Sequence, residues 1–190
     1  MTELPKSKMT VDEYLIWADG RQGRYELVDG EIVAMSPERS RHAETKFAIR
    51  LALREGIRRS GLPYWMLPGG MTVRISERTA YEPDALIYCG SKLPPDAVEV
   101  PNPVIVVEVL SPNTKHIDKT AKLTGYFSLA SVHRYLVLDT EKNLIIHHAR
   151  QDDDVILTKI VRNGELNLSP PGLELQFSFD FGEFGHCCPV

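Results

Sequence analysis

Seven consecutive residues, Val104-Ile105-Val106-Val107-Glu108-Val109-Leu110, constrain this chain more than any other stretch. Apart from Glu108 they are apolar, and most are β-branched, so the run suits a strand. A strand apolar on both faces is buried on both, which marks the centre of a sheet with covered faces. Side chains alternate along a strand, so Val104, Val106, Glu108 and Leu110 are expected on one face. That places a carboxylate in the middle of an apolar strand. Such a group needs a cation, a set of hydrogen bonds or a proton, because an unpaired buried charge is costly.

The flanking sequence supplies the rest of a mixed architecture. Thr10-Val11-Asp12-Glu13 reads as a capping box opening a short helix through Trp17, which Asp19-Gly20 ends. Arg24 to Met35 reads as a hairpin around Asp29-Gly30, a pair suited to a two-residue type I′ turn. Ser36-Pro37 predicts a helix start, with Ser36 as N-cap, and Ser60-Gly61 the end of that helix. Within it Ala43, Phe47 and Leu51 share one face, and Lys46, Arg50, Arg54 and Arg58 share another. Strands are expected at Met71 to Ile75, Pro83 to Tyr88 and Val104 to Leu110. A helix from about Asp118 to Leu129 follows, then a strand at Arg134 to Asp139. A hairpin of Asn143 to His147 and Val155 to Val161, turning at Asp152-Asp153-Asp154, and a last strand at Leu173 to Phe179 complete the chain. The order predicts an α/β fold around one mixed sheet, and no linker divides the 190 residues, so a single domain is expected.

Composition excludes some classes. No run approaches the roughly 18 apolar residues of a membrane span, and MTELPKSKMT lacks a signal-peptide core, so a cytoplasmic protein without membrane association is expected. Reduced thiols are expected at Cys89, Cys187 and Cys188, and His186 beside the last two has no second cluster at zinc spacing. The net charge of −4 argues against a surface coated for nucleic acid, but residues 38–59 hold a local basic strip. Its Lys46, Arg50, Arg54 and Arg58 are candidates for modest, salt-dependent contact with a phosphate backbone.

Asp84 opens the strand preceding the one that carries Glu108. Two carboxylates on neighbouring strands repel unless a divalent cation lies between them, and hard oxygen donors suit Mg²⁺ or Mn²⁺. Such an ion polarises a phosphodiester and lowers the pKa of an attacking water. Asp118, Lys122 and Tyr126 are spaced to share one helix face. Lys122 is therefore the candidate to orient or deprotonate the water, or to stabilise charge on the phosphate; Lys115 and Lys119 are its rivals.

The ordered set Tyr25-Glu26-Leu27-Val28-Asp29-Gly30-Glu31, Met35-Ser36-Pro37, His42, Pro83-Asp84, Glu108-Val109-Leu110-Ser111-Pro112 and Asp118 with Lys122 and Tyr126 resembles the Uma2 (DUF820) group of the PD-(D/E)xK nucleases. The resemblance runs from about Thr10 to Asp139. It implies a restriction-endonuclease-like core with an N-terminal hairpin and C-terminal strands, and a metal-dependent endonuclease acting on DNA, commonly as a homodimer. By resemblance Asp84 and Glu108 hold the metal, Glu26 is a further acid of the cavity, and His42 contacts a carboxylate or phosphate. The simplest superfamily pattern has Lys two residues after the Glu, where this chain has Leu110; Lys122 matches the position on the following helix. Two rival readings stand beside this one: a catalytically idle nucleic-acid-binding scaffold, and a phosphoesterase for a substrate other than nucleic acid.

Overall fold

The computed structural model describes residues 7–110, 119–152, 155–162, 164–169 and 171–179. The expectations for Asp118, Lys115, Ser111-Pro112, Asp153-Asp154, His186, Cys187 and Cys188 fall outside them. Elements run α1 (Val11–Ala18), β1 (Tyr25–Val28), β2 (Glu31–Ala34), α2 (Ser40–Ser60), β3 (Tyr64–Pro68), β4 (Val73–Ser76), β5 (Thr79–Tyr81) and β6 (Ala85–Cys89). They continue as β7 (Pro103–Leu110), α3 (Lys119–Ser128), β8 (Arg134–Asp139), β9 (Leu144–Asp152), β10 (Val155–Val161), β11 (Gly164–Leu168) and β12 (Leu173–Phe177).

The apolar run is β7, and it is central. The main sheet has the order β10-β9-β8-β7-β6-β3, mixed because β7 and β8 are parallel, joined by the crossover that contains α3. Alternation sends Ile105, Val107 and Val109 into one core, against Ile49 and Leu53 of α2 and Leu166, Leu168, Leu173 and Leu175 of the β11–β12 hairpin. Val106 and Leu110 join the opposite core, with Tyr126 and Phe127 of α3, Tyr81 and Tyr135. Each face of β7 thus meets its own helix, as a doubly apolar strand requires.

Three expectations are corrected, and the faces of α2 are assigned. Val104 does not share the face of Glu108: the β6–β7 register shifts between Ile87 and Tyr88, and the extra residue turns Val104 into the core with Ile105. The α2 helix begins at Ser40 with Arg39 as N-cap, not at Ser36-Pro37, because Glu38 is drawn to Arg24 and Lys46 instead of entering the first turn. The face carrying Ala43, Phe47 and Leu51 is the exposed one, with Phe47 at 63%. The buried face is His42, Thr45, Lys46, Ile49, Leu53 and Gly56. There is also more than one sheet. The β1–β2 hairpin pairs with β5 in a four-stranded sheet of order β2-β1-β5-β4, and β11–β12 form a pair of their own.

Strands β3, β5 and β11 were not anticipated. Proline brackets β3 at Pro63 and Pro68, which reads as loop but is tolerated because β3 is an outer strand of its sheet. The β5 strand has three residues, too few to show a period.

Local chemistry explains the N-terminal part. Thr10 and Glu13 cap α1 reciprocally, Thr10 N–H donating to Glu13 Oε2 at 2.8 Å and Glu13 N–H to Thr10 Oγ1 at 3.3 Å. Asp29 and Gly30 have φ of 50° and 83°, as a type I′ turn demands. A Cβ at Gly30 would lie 2.9 Å from Lys8 Cβ, so only glycine lets the segment before α1 cross the hairpin tip. Val11 and Tyr14 then seal Leu27 and Ala80 of the four-stranded sheet. Among the described residues no helix is long and apolar enough to cross a membrane.

Candidate active site at the fork of the central strands

The site lies where β6 and β7 separate. One residue beyond the Ala85–Val107 pair, Asp84 N–H donates to the Val107 carbonyl at 2.9 Å, next to Glu108, and there the chain of β6 leaves the sheet. Val109 N–H and C=O both face the vacated side. Asp84 Oδ2 accepts the N–H at 2.8 Å, and His42 Nε2 donates to the carbonyl at 2.7 Å. Asp84 and His42 therefore replace the missing strand, satisfying two backbone groups that would otherwise be buried and unpaired. His42 thus contacts a backbone carbonyl; its Nε2 lies 3.8 Å from Asp84 Oδ2.

Helix α2 clamps Asp84 from one side. Lys46, 4% exposed, reaches Asp84 Oδ1 at 2.8 Å and also pairs with Glu38. Arg50 donates from Nε at 3.2 Å and Nη2 at 2.9 Å to the Asp84 carbonyl. Arg24 pairs with Glu82 at 2.5 Å and Glu38 at 3.0 Å. Burial raises the Glu38 carboxyl, but the hydrogen bond and charge of Lys46, with His42 and Arg24, outweigh it and hold the pKa below the usual range. Glu82 goes the other way: burial lifts its pKa, against the pull of Arg24.

The other half is built on α3. Lys122 Nζ donates to Glu108 Oε1 and to Glu26 Oε1, each at 2.8 Å. One turn on, Tyr126 donates its hydroxyl to the same Glu108 oxygen at 2.8 Å. Glu26, on β1, also accepts the Glu82 N–H at 3.0 Å, which ties the four-stranded sheet to the site. Burial, with Glu26 and Asp84 adding repulsion, pushes the Glu108 carboxyl up to about 7 despite Lys122. Burial would lower the Lys122 pKa, but Glu108 and Glu26 raise it above its ordinary value, so the side chain is an ammonium ion. Burial, with Glu108 next, lifts the Tyr126 hydroxyl well above its usual range and keeps it a donor.

The structure therefore brings Glu26, Glu108, Lys122 and Tyr126 into contact, and Asp84, His42, Lys46 and Arg50 into an adjoining cluster. Arg54 and Arg58 are exposed, and Arg58 pairs with Glu55 at 2.7 Å, so the basic stripe divides after Arg50. His147, buried on β9, is depressed to about 4 by burial, with Arg134 and Lys159 assisting; neutral and remote, it takes no part. Cys89 is a free, exposed thiol. Sequence reasoning did not single out Arg24, Glu38 and Glu82 as site residues. The one available signal was Glu82 adjoining Pro83-Asp84.

The donor set fits a hard divalent cation in its chemistry. Asp84 and Glu108 are carboxylates close enough to repel each other, and Glu26 adds a buried Oε2 without a hydrogen-bond partner. Among the described residues no group of three or more acid, His or Cys side chains is gathered closely enough to cage an ion alone. Mg²⁺ needs no such cage: it is bound through one or two carboxylates, with waters and substrate phosphate completing the shell.

A mixed sheet with helices on both faces, a forked central strand pair, two neighbouring acids and a lysine from the crossover helix define a restriction-endonuclease-like α/β protein. The chain belongs to the Uma2 family, described as "Putative restriction endonuclease", which matches residues 11–182. The family therefore extends past Asp139 and takes in β9 to β12. A protein of Anabaena variabilis ATCC 29413, described as "a putative nuclease belonging to DUF820", has the same fold, with a TM-score of 0.70 at 14% identity over 90% of this chain and 96% of its own. An uncharacterized protein of Synechocystis sp. is 25% identical over 171 residues, 89% of each chain.

Proposed function

We propose that this protein is a divalent-metal-dependent endonuclease that hydrolyses DNA phosphodiester bonds. The observation that carries this reading is the presence of two buried acids, Asp84 and Glu108, beside each other at the strand fork, with the Lys122 ammonium held on Glu108. Asp84 and Glu108 would hold Mg²⁺ or Mn²⁺, which when bound polarises the phosphate and acidifies a water. Glu26 and Glu108 keep Lys122 protonated, so Lys122 serves as a fixed cation for charge developing on the phosphate, not as the base. Tyr126 and Lys122 together fix the Glu108 carboxylate, leaving its second oxygen for the cation. Lys46, Arg50 and Val109 N–H hold Asp84 in place, so neither acid must reorganise during the reaction. The idle-scaffold alternative would be favoured by a Lys122 turned away from Glu108, and the contact at 2.8 Å removes that support. A double-strand cut takes two such sites, which a homodimer would supply.

The test is plasmid nicking at low salt with Mg²⁺ or Mn²⁺. Wild-type protein is expected to nick the plasmid, and Glu108→Ala and Lys122→Ala to abolish nicking. Equal nicking by all three would remove Glu108 and Lys122 from the chemistry.

A further inference from the structure

Beside the acids, on the α2 side, a cleft of about 450 Å³ opens between Arg24, Lys46, Arg50, Glu82 and the pair Gly69-Gly70. Its two guanidinium groups are unusual. Arg24 is pinned by Glu82 at Nε and Glu38 at Nη1, yet its Nη2 is buried without a hydrogen-bond partner, 3.8 Å from Asp84 Oδ1. Arg50 spends its donors on a neutral group, the Asp84 carbonyl, and has no carboxylate partner among the described residues. Burial lowers its pKa; Asp84 and Glu38 oppose that, and Arg24 adds to it by repulsion. Both guanidinium ends converge on Gly69. A Cβ there would lie 3.2 Å from Arg24 Nη2 and 3.3 Å from Arg50 Nη2.

Two pre-oriented guanidinium groups that repel each other, one with a donor unspent, with bare backbone between them, are built for a shared oxyanion. We infer that this cleft seats a backbone phosphodiester of nucleic acid, gripped by Arg24 and Arg50 over Gly69 beside the phosphate attacked at Asp84 and Glu108. The inference rests on the nuclease reading and deepens it. The flanking Glu38 and Glu82 select the charge: they repel a doubly ionised free phosphate or monoester more than a singly charged diester. Lys46 is committed to Asp84 and Glu38, so it holds the floor of the cleft and does not grip the ligand.

The experiment is anisotropy of a fluorescein-labelled duplex in EDTA, where turnover stops, from about 50 to 200 mM salt. Arg50→Gln is expected to weaken binding about tenfold and to lower the slope of log affinity against log salt by about 1. Arg54→Gln, one exposed turn away, is expected to match wild type. Arg24→Gln would strand Glu38 and Glu82, so Gly69→Ala is the second probe: it fills the gap, keeps every charge and should weaken binding several-fold with the slope unchanged. Wild-type affinity and slope in Arg50→Gln, or wild-type affinity in Gly69→Ala, overturns the inference even if Mg²⁺-dependent nicking is intact. Loss of binding in Arg50→Gln but not Arg54→Gln, with no cleavage of any DNA form, upholds the phosphate seat while the nuclease reading falls. Competition by inorganic phosphate or a mononucleotide at concentrations matching the duplex phosphates would identify a free-phosphate site and overturn the choice of a diester.

Discussion

Replacing Lys122 with methionine is expected to destabilise the fold by about 3–5 kcal/mol at pH 8. Methionine keeps the stem of the side chain but removes the one ammonium shared by Glu26 and Glu108. Both carboxylates are nearly inaccessible, and Glu26 already has one oxygen without a partner. The two acids would then repel each other with no counter-charge between them. The loss should depend on pH in a definite direction. Glu108 titrates at about 7 in the folded protein with Lys122 present, above the ordinary 4.5, and removing the ammonium lifts it further. A folded state that binds its proton more tightly than the unfolded state loses stability as pH rises. Urea midpoints of the variant and wild type should therefore lie far apart at pH 8 and approach each other at pH 5, where the Glu108 proton relieves the repulsion. Equal midpoints at pH 8 would mean that the ammonium does not hold the two acids.

Glu108→Gln is expected to move stability and activity in opposite directions. The amide oxygen can still accept from Lys122 and Tyr126, so the contacts at 2.8 Å survive. What disappears is a charge that burial penalises. Wild-type Glu108 has a folded pKa of about 7 against an ordinary 4.5, so above pH 7 its ionisation costs stability that it does not cost below pH 4.5. At pH 8 the glutamine variant should be more stable by about 1 kcal/mol, less than the shift alone implies because Lys122 also loses a partner. At pH 5, where Glu108 is already protonated, the two proteins should melt together. Cleavage should fall by roughly 10³-fold, since a neutral amide is a poor ligand for a hard cation worth several kcal/mol in the transition state. A variant less stable than wild type at pH 8 would show that the carboxylate carries no strain. A variant that cleaves normally would show that it carries no chemistry.

Much of this was legible in the chain. Strand alternation alone isolates Glu108 in an apolar run, and four-residue spacing places Lys122 and Tyr126 on one helical face, where both meet the same carboxylate oxygen. The work of Asp84 and His42 was not legible, because it depends on β6 leaving β7 at that residue and exposing both polar groups of Val109. Arg24 and Glu82 are separated by 58 positions and meet only because the β1–β2 hairpin pairs with β5. Helix α2 is the most instructive. Periodicity shows that the helix has distinct faces but not which of them is buried. Lys46 and His42 point inward because Asp84 and Val109 need them, leaving Phe47 and Leu51 outside. A helix that buries a lysine and a histidine beside its apolar residues while exposing a phenylalanine is itself a sign of a nearby site.

Glu26 belongs to the four-stranded sheet and Glu108 to the six-stranded one; Lys122 bridges the two acids, and beneath it Val73 and Tyr81 of the first sheet share a buried core with Leu86 and Val106 of the second. Parting the two sheets would open that shared core, so the reactive geometry is expected to hold until the fold itself yields. Activity and tertiary structure should therefore be lost together on heating, the seam between the sheets behaving as a weld.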